Sequence, residues 1–423
     1  GLPASDVEIA LAVLEGAGVV LRGRFTPAAE LEWCERRLLA RIHRLTLGRL
    51  RREIEAVAPA EFMRFLFRWQ HVQAGTQLHG RDGVAEIIGQ LQGLELPAPS
   101  WEESILPSRV RLYDPADLEY LTLSGAVAWG RLTSNGIDED QPAGRSRRRQ
   151  MPGRSSPLAF AIREDLPAFF DVTRDLDDVL RGLSPAAAEV ARFLEQRGAS
   201  FLSDIAQATR RMPAEVEEAL WELVSHGAVS GDGVAGLRQL LHGGSRQRRR
   251  QQRMRRLTGV RAHGRSLPVG RWSLWRPAGS PAREEREEAI ARQLLRRYGV
   301  VFRDLLARER IAPPWRVLVQ VYRRWEAQGR IRGGRFVAGL TGEQFALPEA
   351  VEALRAVRRT SGDPVVVIAS ADPLNLVGVI MPGAKIPAAS GQAIAFKDGV
   401  PSEVAPLGAL LSRLRNERAR TAL

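Results

Sequence analysis

A mainly α fold with short β wings, α+β in class, is what the sequence predicts, and three observations predict it. The stretch GRIRGGRFVAG, residues 329–339, sets three arginines between four glycines, and it recurs more loosely as GAGVVLRGRF (16–25), GAVAWGRL (125–132) and GAVSGDGVAGL (227–237). Each copy follows a run of helix-favouring residues with apolar positions at helical spacing. Residues 184–237 and 283–339 then match element for element: helix, short strand, helix, helix, hairpin. That order, over about 55 residues, is what a winged-helix domain requires, and several in tandem make a repeat-like array.

Taken in order, residues 1–27 read as the last helix and hairpin of such a unit. Residues 28–133 read as a second unit. It has one or two helices over 28–57, where Leu31, Leu38, Leu39, Ile42, Leu45, Leu50 and Ile54 fall at helical spacing, then helices at 60–69, 82–92 and 114–123 and a hairpin at 126–133. Residues 134–157 mix Gly, Ser, Pro and charge with almost no apolar side chains, the composition of a linker. A third unit spans 158–243, with Ser184 placed to cap a helix that Pro185 opens. Residues 244–279 form a basic linker and strand segment, 280–342 a fourth unit, and 343–423 a helix followed by β-rich pieces separated by Pro and Gly.

At 423 residues the chain exceeds what one core usually serves. Hydrophobic residues at 44% and charged residues at 26% are ordinary for a globular protein, so several cores can be buried. No apolar run approaches the roughly 18 residues a membrane span needs, and GLPASDVEIA carries neither a start methionine nor a signal peptide. We therefore expect a soluble piece of a longer chain with no membrane partner. Cys34 is the one cysteine, and the six histidines show no ligand spacing, so no structural metal is expected. No P-loop, nucleophile elbow or deaminase signature occurs, and no cofactor is expected in this fragment.

The formal charge is +13, and all but Lys385 and Lys397 of the 62 basic residues are arginines. Arginine forks match phosphate and base edges, so DNA, single-stranded or duplex, is the first partner to consider. Codon bias in a GC-rich genome would also enrich arginine. In a winged helix the third helix enters the groove and the wing follows the backbone, so the outer face of that helix is the test. In the fourth unit Val317, Leu318, Val321 and Trp325 form the apolar stripe, which leaves Arg316, Gln320, Arg323 and Arg324 outward and adds Arg330, Arg332 and Arg335 from the wing. The first unit offers Arg22 and Arg24 on its wing, and the second Trp129 and Arg131, a pair suited to stacking on a base, although a wing tryptophan as often packs on a neighbour. The third unit carries Glu215, Glu217, Glu218 and Glu222 on its third helix and is expected to pack on protein instead, which also raises a homo-oligomeric scaffold as a reading.

Several phrases are also recognisable together: EFMRFLFRWQHV (61–72), QLQGLELPAPSWEESILPSRV (90–110), LSGAVAWGRL (123–132), GRFVAGLTGEQFALPEAVEALRAVRR (334–359) and SADPLNLVG (370–378). In these the chain resembles the C-terminal region of the large helicase-related (Lhr) family of bacterial DNA helicases. The resemblance implies tandem winged helices that end in a small β-barrel-like module. It also implies ATP-driven motor domains elsewhere in the parent chain, a cytoplasmic, nucleoid-associated setting and work in DNA repair. The second unit also resembles winged-helix DNA glycosylases of the AlkZ type, through SRVRLYDPADLEYL (108–121). Those enzymes position water with a Gln-x-Gln or Gln-x-Asp pair, and Gln90 with Gln92 is the nearest match here. Uracil or damaged-base removal is therefore the alternative reading of this chain.

Overall fold

The structure, a computed structural model, describes residues 3–26, 31–52, 55–133, 156–170, 176–242, 270–276, 279, 281–360, 362 and 364–413. In the first unit α1 (Ala4–Gly16) leads to β1 (Val20–Gly23), which pairs antiparallel with β2 (Glu32–Glu35). The expected helix over 28–57 is thus a strand first, and the helix α2 occupies Arg36–Arg52. Glu35 caps α2 by accepting the Arg37 and Leu38 amides at 2.9 and 2.7 Å. Those amide bonds also hold its carboxyl below the usual carboxylate range.

Next come α3 (Pro59–Trp69), β3 (Leu78–His79), α4 (Gly80–Leu91), β4 (Leu96–Pro97), a π-helical turn at Trp101–Ile105, α5 (Leu106–Arg109), β5 (Val110–Arg111), α6 (Pro115–Leu123), β6 (Val127–Gly130) and β7 (Pro157–Ile162). The third unit contains α7 (Leu176–Leu180), α8 (Pro185–Arg197), β8 (Ser200–Phe201), α9 (Leu202–Thr209), α10 (Pro213–Ser225), β9 (Val229–Gly231), α11 (Ala235–His242) and β10 (Arg271–Leu274). The fourth contains α12 (Arg283–Tyr298), β11 (Val300–Val301), a 3-10 turn at Arg303–Arg308, α13 (Trp315–Ala327), β12 (Arg332–Gly334) and β13 (Gln344–Ala346). The chain continues with α14 (Pro348–Arg358) and with β14 (Val366–Ala369), β15 (Gln392–Lys397) and β16 (Val400–Pro406).

Three units share one sheet topology, β4-β7-β6, β8-β10-β9 and β11-β13-β12, in which the last strand to arrive takes the centre. Most of both expected linkers, residues 134–155 and 243–269, lies outside the described residues. The described strands on either side of each pair antiparallel within one sheet: Gly130 faces Ala159, and Gly231 faces Trp272. The RWSL strand, expected in a separate segment, therefore completes the third unit.

The recurring glycine has a more definite role than a hairpin turn. Gly18, Gly125, Gly227 and Gly329 adopt φ of 70°, 81°, 69° and 73°, each just after the helix that precedes its wing. In three copies the following amide bonds the carbonyl five residues back: Val19 to Leu14, Ala228 to Leu223 and Arg330 to Trp325, each at 2.9 Å. The glycine ends the helix in a left-handed cap that L side chains resist. Gly329→Ala is expected to cost about 1 kcal/mol, the left-handed backbone penalty, because no atom lies within 4 Å of the added Cβ. Gly227→Ala should cost more, since its Cβ would lie 2.9 Å from the Arg131 carbonyl oxygen. Urea unfolding of the two variants tests the order.

Counting four and seven residues back from each cap glycine gives Leu121 and Leu118, Leu223 and Leu220, and Trp325 and Tyr322, all buried. The same positions in α1 are Leu14, which is exposed, and Leu11, which is half-buried.

Two large cores result. One joins α4, α6, β6, β7 and the helices of the third unit; the other joins α3, α12, α13, α14, β14 and β15. The helix α3, read from the sequence as part of the second unit, packs into the second of these cores. Its aromatic face decides this: Phe62 lies 5.7 Å from the Phe302 ring and Phe67 5.1 Å from Phe396. The C-terminal β14, β15 and β16 form an open antiparallel sheet, and among the described residues no closed barrel completes the expected β-barrel-like module.

The cores are tied by buried charge. The Arg109 guanidinium donates to both carboxylate oxygens of Asp372 at 2.7 and 2.9 Å, and to the Gln70 side-chain oxygen at 3.1 Å. Both charged side chains are at most 2% exposed. Nearby, Arg297 pairs with Glu309, which also accepts the Tyr298 hydroxyl at 2.8 Å. Burial pushes the Tyr298 phenol well above its ordinary value, as does the Glu309 charge.

Candidate nucleic-acid interface

The outer face of α13 and the wing of the fourth unit carry the largest set of sequence-chosen residues. Leu318, Val321, Tyr322 and Trp325 are buried, while Arg316, Gln320, Arg323 and Arg324 are exposed. Tyr322 joins the buried stripe that the sequence assigned partly to Val317, because its hydroxyl reaches the Ala291 carbonyl at 2.9 Å. Arg330, Arg332 and Arg335 are exposed as well.

These arginines are not equivalent. Arg323 pairs with Glu343 at 2.7 Å, Arg324 with Glu288 at 2.5 Å, and Arg330 lies over the Trp325 ring at 4.6 Å. Arg316, Arg332 and Arg335 have no ion pair among the described residues. Their guanidiniums therefore keep their full capacity for a phosphate. The wing itself departs from a simple hairpin. After β12 the chain does not return at once: Phe336 and Val337 are buried, and their amides donate to the Gln344 side-chain oxygen at 2.8 Å each.

The helix α2 lies against β12 and extends this surface. Its sequence, RRLLARIHRLTLGRLRR, holds seven arginines and no acidic residue, and Arg36, Arg37, Arg41 and Arg44 are exposed. The sequence reading used this stretch only for its leucines and isoleucines. The run of arginines without a carboxylate was the signal to follow. Leu38, Ile42 and Leu45 on the same helix remain exposed. On the first wing Arg22 lies over the Trp33 ring at 5.3 Å, and Arg24 is exposed.

The second unit offers no such tip. Trp129 is 1% exposed, packs edge-on to Trp272 and donates to the Gly233 carbonyl at 3.2 Å. Arg131 is 9% exposed and donates to the Ser225 carbonyl at 2.6 Å, while its own carbonyl accepts the Trp275 indole at 2.8 Å. The reason is that β6 and β9 run side by side, the Ser230 hydroxyl bonding the Trp129 carbonyl, so the two wings seal each other. The same seam covers the end of α10. Its carboxylates have local roles: Glu222 accepts the Ser184 amide and hydroxyl at 3.0 and 2.5 Å, and Glu215 accepts the Met212 amide at 3.2 Å.

Gln90 and Gln92 are buried at 5% and 2% exposure. The Gln90 amide donates to the Trp69 carbonyl at 2.9 Å. Gln92 donates to Asp165 at 2.7 Å and to the Gln293 oxygen at 3.2 Å, and accepts the Ile162 amide at 3.0 Å. Gln293 in turn donates to the Gln90 carbonyl at 2.7 Å. The Gln90 side chain thus ties the end of α4 to α3, and Gln92 ties the residue after α4 to β7, Asp165 and α12. Gln92→Ala is expected to destabilise the chain by about 1–3 kcal/mol through the unpaired Ile162 amide and its neighbours. Thermal unfolding measures it.

Comparison with known proteins agrees with the repeated topology. Residues 57–142 and 280–366 each match the winged-helix domain of large helicase-related proteins. The chain carries two winged-helix domains of the Lhr family. It is 32% identical over 399 residues to the Lhr helicase/probable uracil glycosylase of Mycolicibacterium smegmatis, covering 89% of this chain and 25% of that protein. It is 31% identical over 392 residues to the Lhr helicase/uracil glycosylase of Escherichia coli, covering 84% of this chain and 24% of that protein. The chain therefore spans about a quarter of the length of the curated Lhr relatives it matches. Among solved structures the Streptomyces sahachiroi DNA glycosylase AlkZ aligns over 82% of this chain and 87% of its own, with a TM-score of 0.46 and 11% identity. The phrases that carried the Lhr resemblance meet in space: Arg109 comes from SWEESILPSRV and Asp372 from SADPLNLVG.

Proposed function

We propose that this chain is a DNA-binding and assembly module from the C-terminal part of an Lhr-type helicase, acting beside motor domains of the same parent chain and in DNA repair. The observation that carries the reading is the set Arg316, Arg332 and Arg335, exposed and without ion pairs among the described residues, on the third helix and wing of a winged-helix domain. With α2 alongside, phosphates of single-stranded or duplex DNA would meet arginines from two elements, without a cofactor. The first wing, through Arg22 and Arg24, is a second phosphate contact in this reading. Titration of labelled single-stranded and duplex DNA at low and high salt tests it: salt-insensitive binding, or none, would sink the proposal. Homo-oligomerisation is its assembly side, checked by mass in solution, and the setting is a bacterial cytoplasm; among the described residues no helix is long and apolar enough to cross a membrane.

The glycosylase reading has the names of both curated relatives behind it. At Gln90 and Gln92 it lacks an accessible site, because both side chains are buried and hydrogen-bonded. We place those two residues in the scaffold.

A further inference from the structure

A cavity of about 530 Å³ opens between α14 and the segment that follows β12. Its floor is apolar, built by Phe336, Val351 and Leu354, and its rim carries Arg355, Arg358 and Arg359. The spacing of Val351, Leu354, Arg355 and Arg358 places them on one face of α14, so the helix supplies floor and rim together. Glu55 is the one carboxylate among the described residues of the lining, and it pairs with Arg358. Arg355 and Arg359 are exposed and have no ion pair among the described residues.

Cations in the last turn of a helix offset its dipole unaided, so the arginines alone do not assign a ligand. The apolar floor beside them does. A volume of about 530 Å³ is ligand-sized, within the roughly 300–1,000 Å³ of small-molecule sites. An apolar surface under two exposed guanidiniums, without ion pairs among the described residues, matches a planar, weakly polar group joined to an anion. Position narrows the choice further. Phe336 directly follows Arg335 of the wing, and its carbonyl accepts the Val57 amide at 2.8 Å, where the chain arrives from α2. The cavity thus adjoins both halves of the arginine surface.

We propose that this cavity holds one nucleotide of a bound nucleic-acid strand, the base on the Phe336, Val351 and Leu354 floor and the phosphate on Arg355 and Arg359. The inference rests on the DNA-binding reading above and adds a pocket to it. Base contact with such a surface is tolerant of sequence, so the pocket would favour single strands over paired duplex.

The test uses the full chain and a short fluorescein-labelled single strand, read by anisotropy. Val351→Trp fills the cavity without altering charge, and should lower affinity about tenfold, the value of one lost base contact, with an unchanged salt slope. Arg355→Glu with Arg359→Glu should lower affinity and flatten the salt slope by about one phosphate contact. Both sites are exposed, so this pair remains informative should Val351→Trp fail to fold. Arg332→Glu with Arg335→Glu reports on the wing alone. If the wing variant weakens binding while both cavity variants bind like the parent, the pocket is wrong and the DNA-binding reading stands. If the parent binds no strand, the broader reading fails. Free deoxyadenosine monophosphate, followed by thermal shift, separates the sources: a Val351-dependent shift with strand affinity unaffected would assign the cavity to free nucleotide and overturn the proposal.

Discussion

Asp372→Ala is expected to lower the unfolding free energy by about 3–5 kcal/mol, the usual cost of stranding one partner of a buried ion pair. Arg109 is fully buried and donates to both oxygens of Asp372, and Asp372 also accepts the Leu374 amide at 2.9 Å. Removing the carboxylate leaves a guanidinium inside protein with the Gln70 oxygen, the Ile105 carbonyl and the Ser108 hydroxyl as its remaining hydrogen-bond partners. Since desolvation opposes the pair in the first place, replacing both partners with apolar residues should hurt far less. Arg109→Met with Asp372→Leu is therefore expected to recover most of the loss. Urea unfolding of the single and double variants reads both values. A single-variant loss below about 1 kcal/mol, the range of exposed pairs, would show that the contact is not the clamp we describe. The site couples the second unit to the C-terminal sheet segment, so the unfolding of Asp372→Ala should also separate into two transitions. The two cores would then no longer melt together.

Reversing Arg316, Arg332 and Arg335 to glutamate together is expected to weaken DNA binding by about two orders of magnitude at moderate salt, with the slope of log affinity against log salt reduced by about three phosphate contacts. These side chains have no protein carboxylate among the described residues to release before meeting DNA. Reversal of Arg323 and Arg324 should cost less per residue, because Glu343 and Glu288 already occupy them. Glu218, exposed on the acidic α10, provides the control: its reversal to lysine should leave affinity near the parent value. Losses that follow only the number of charges reversed at either arginine set, with a gain in affinity for the Glu218 variant, would point to net charge, not a local surface, as the source of binding.

Much of this molecule was legible in one dimension because winged-helix units announce themselves through helix spacing and a recurring cap. The glycine at each helix end reads directly from backbone stereochemistry, and the positions four and seven residues before it identify the buried face in the second, third and fourth units. The outward arginines of α13 followed from the same spacing. The return strand of each wing was harder to see, since a strand may pair with any later segment of the right pattern. That is why the pairing of β10 with β9 was not legible in the sequence.

The Trp129 and Arg131 expectation failed for a related reason. A wing tip looks alike whether it faces solvent or a neighbouring unit, and the neighbour here is β9, about a hundred residues away in sequence. Gln90 and Gln92 matched a catalytic spacing, yet their partners Asp165, Ile162 and Gln293 come from elements that spacing cannot bring together. The residues of α2 were legible as charge, but their place beside β12 was not.

Local chemistry along the chain was enough to settle helix ends, the amphipathic faces, the tandem units and the dominance of arginine. Those properties depend on neighbours within a turn or two. Folding in three dimensions settled which wings seal one another and which remain open, which arginines are already paired, and that Arg109 finds Asp372. These outcomes depend on contacts between distant segments, where burial turns an ordinary charge into a clamp and exposure leaves it available to a phosphate.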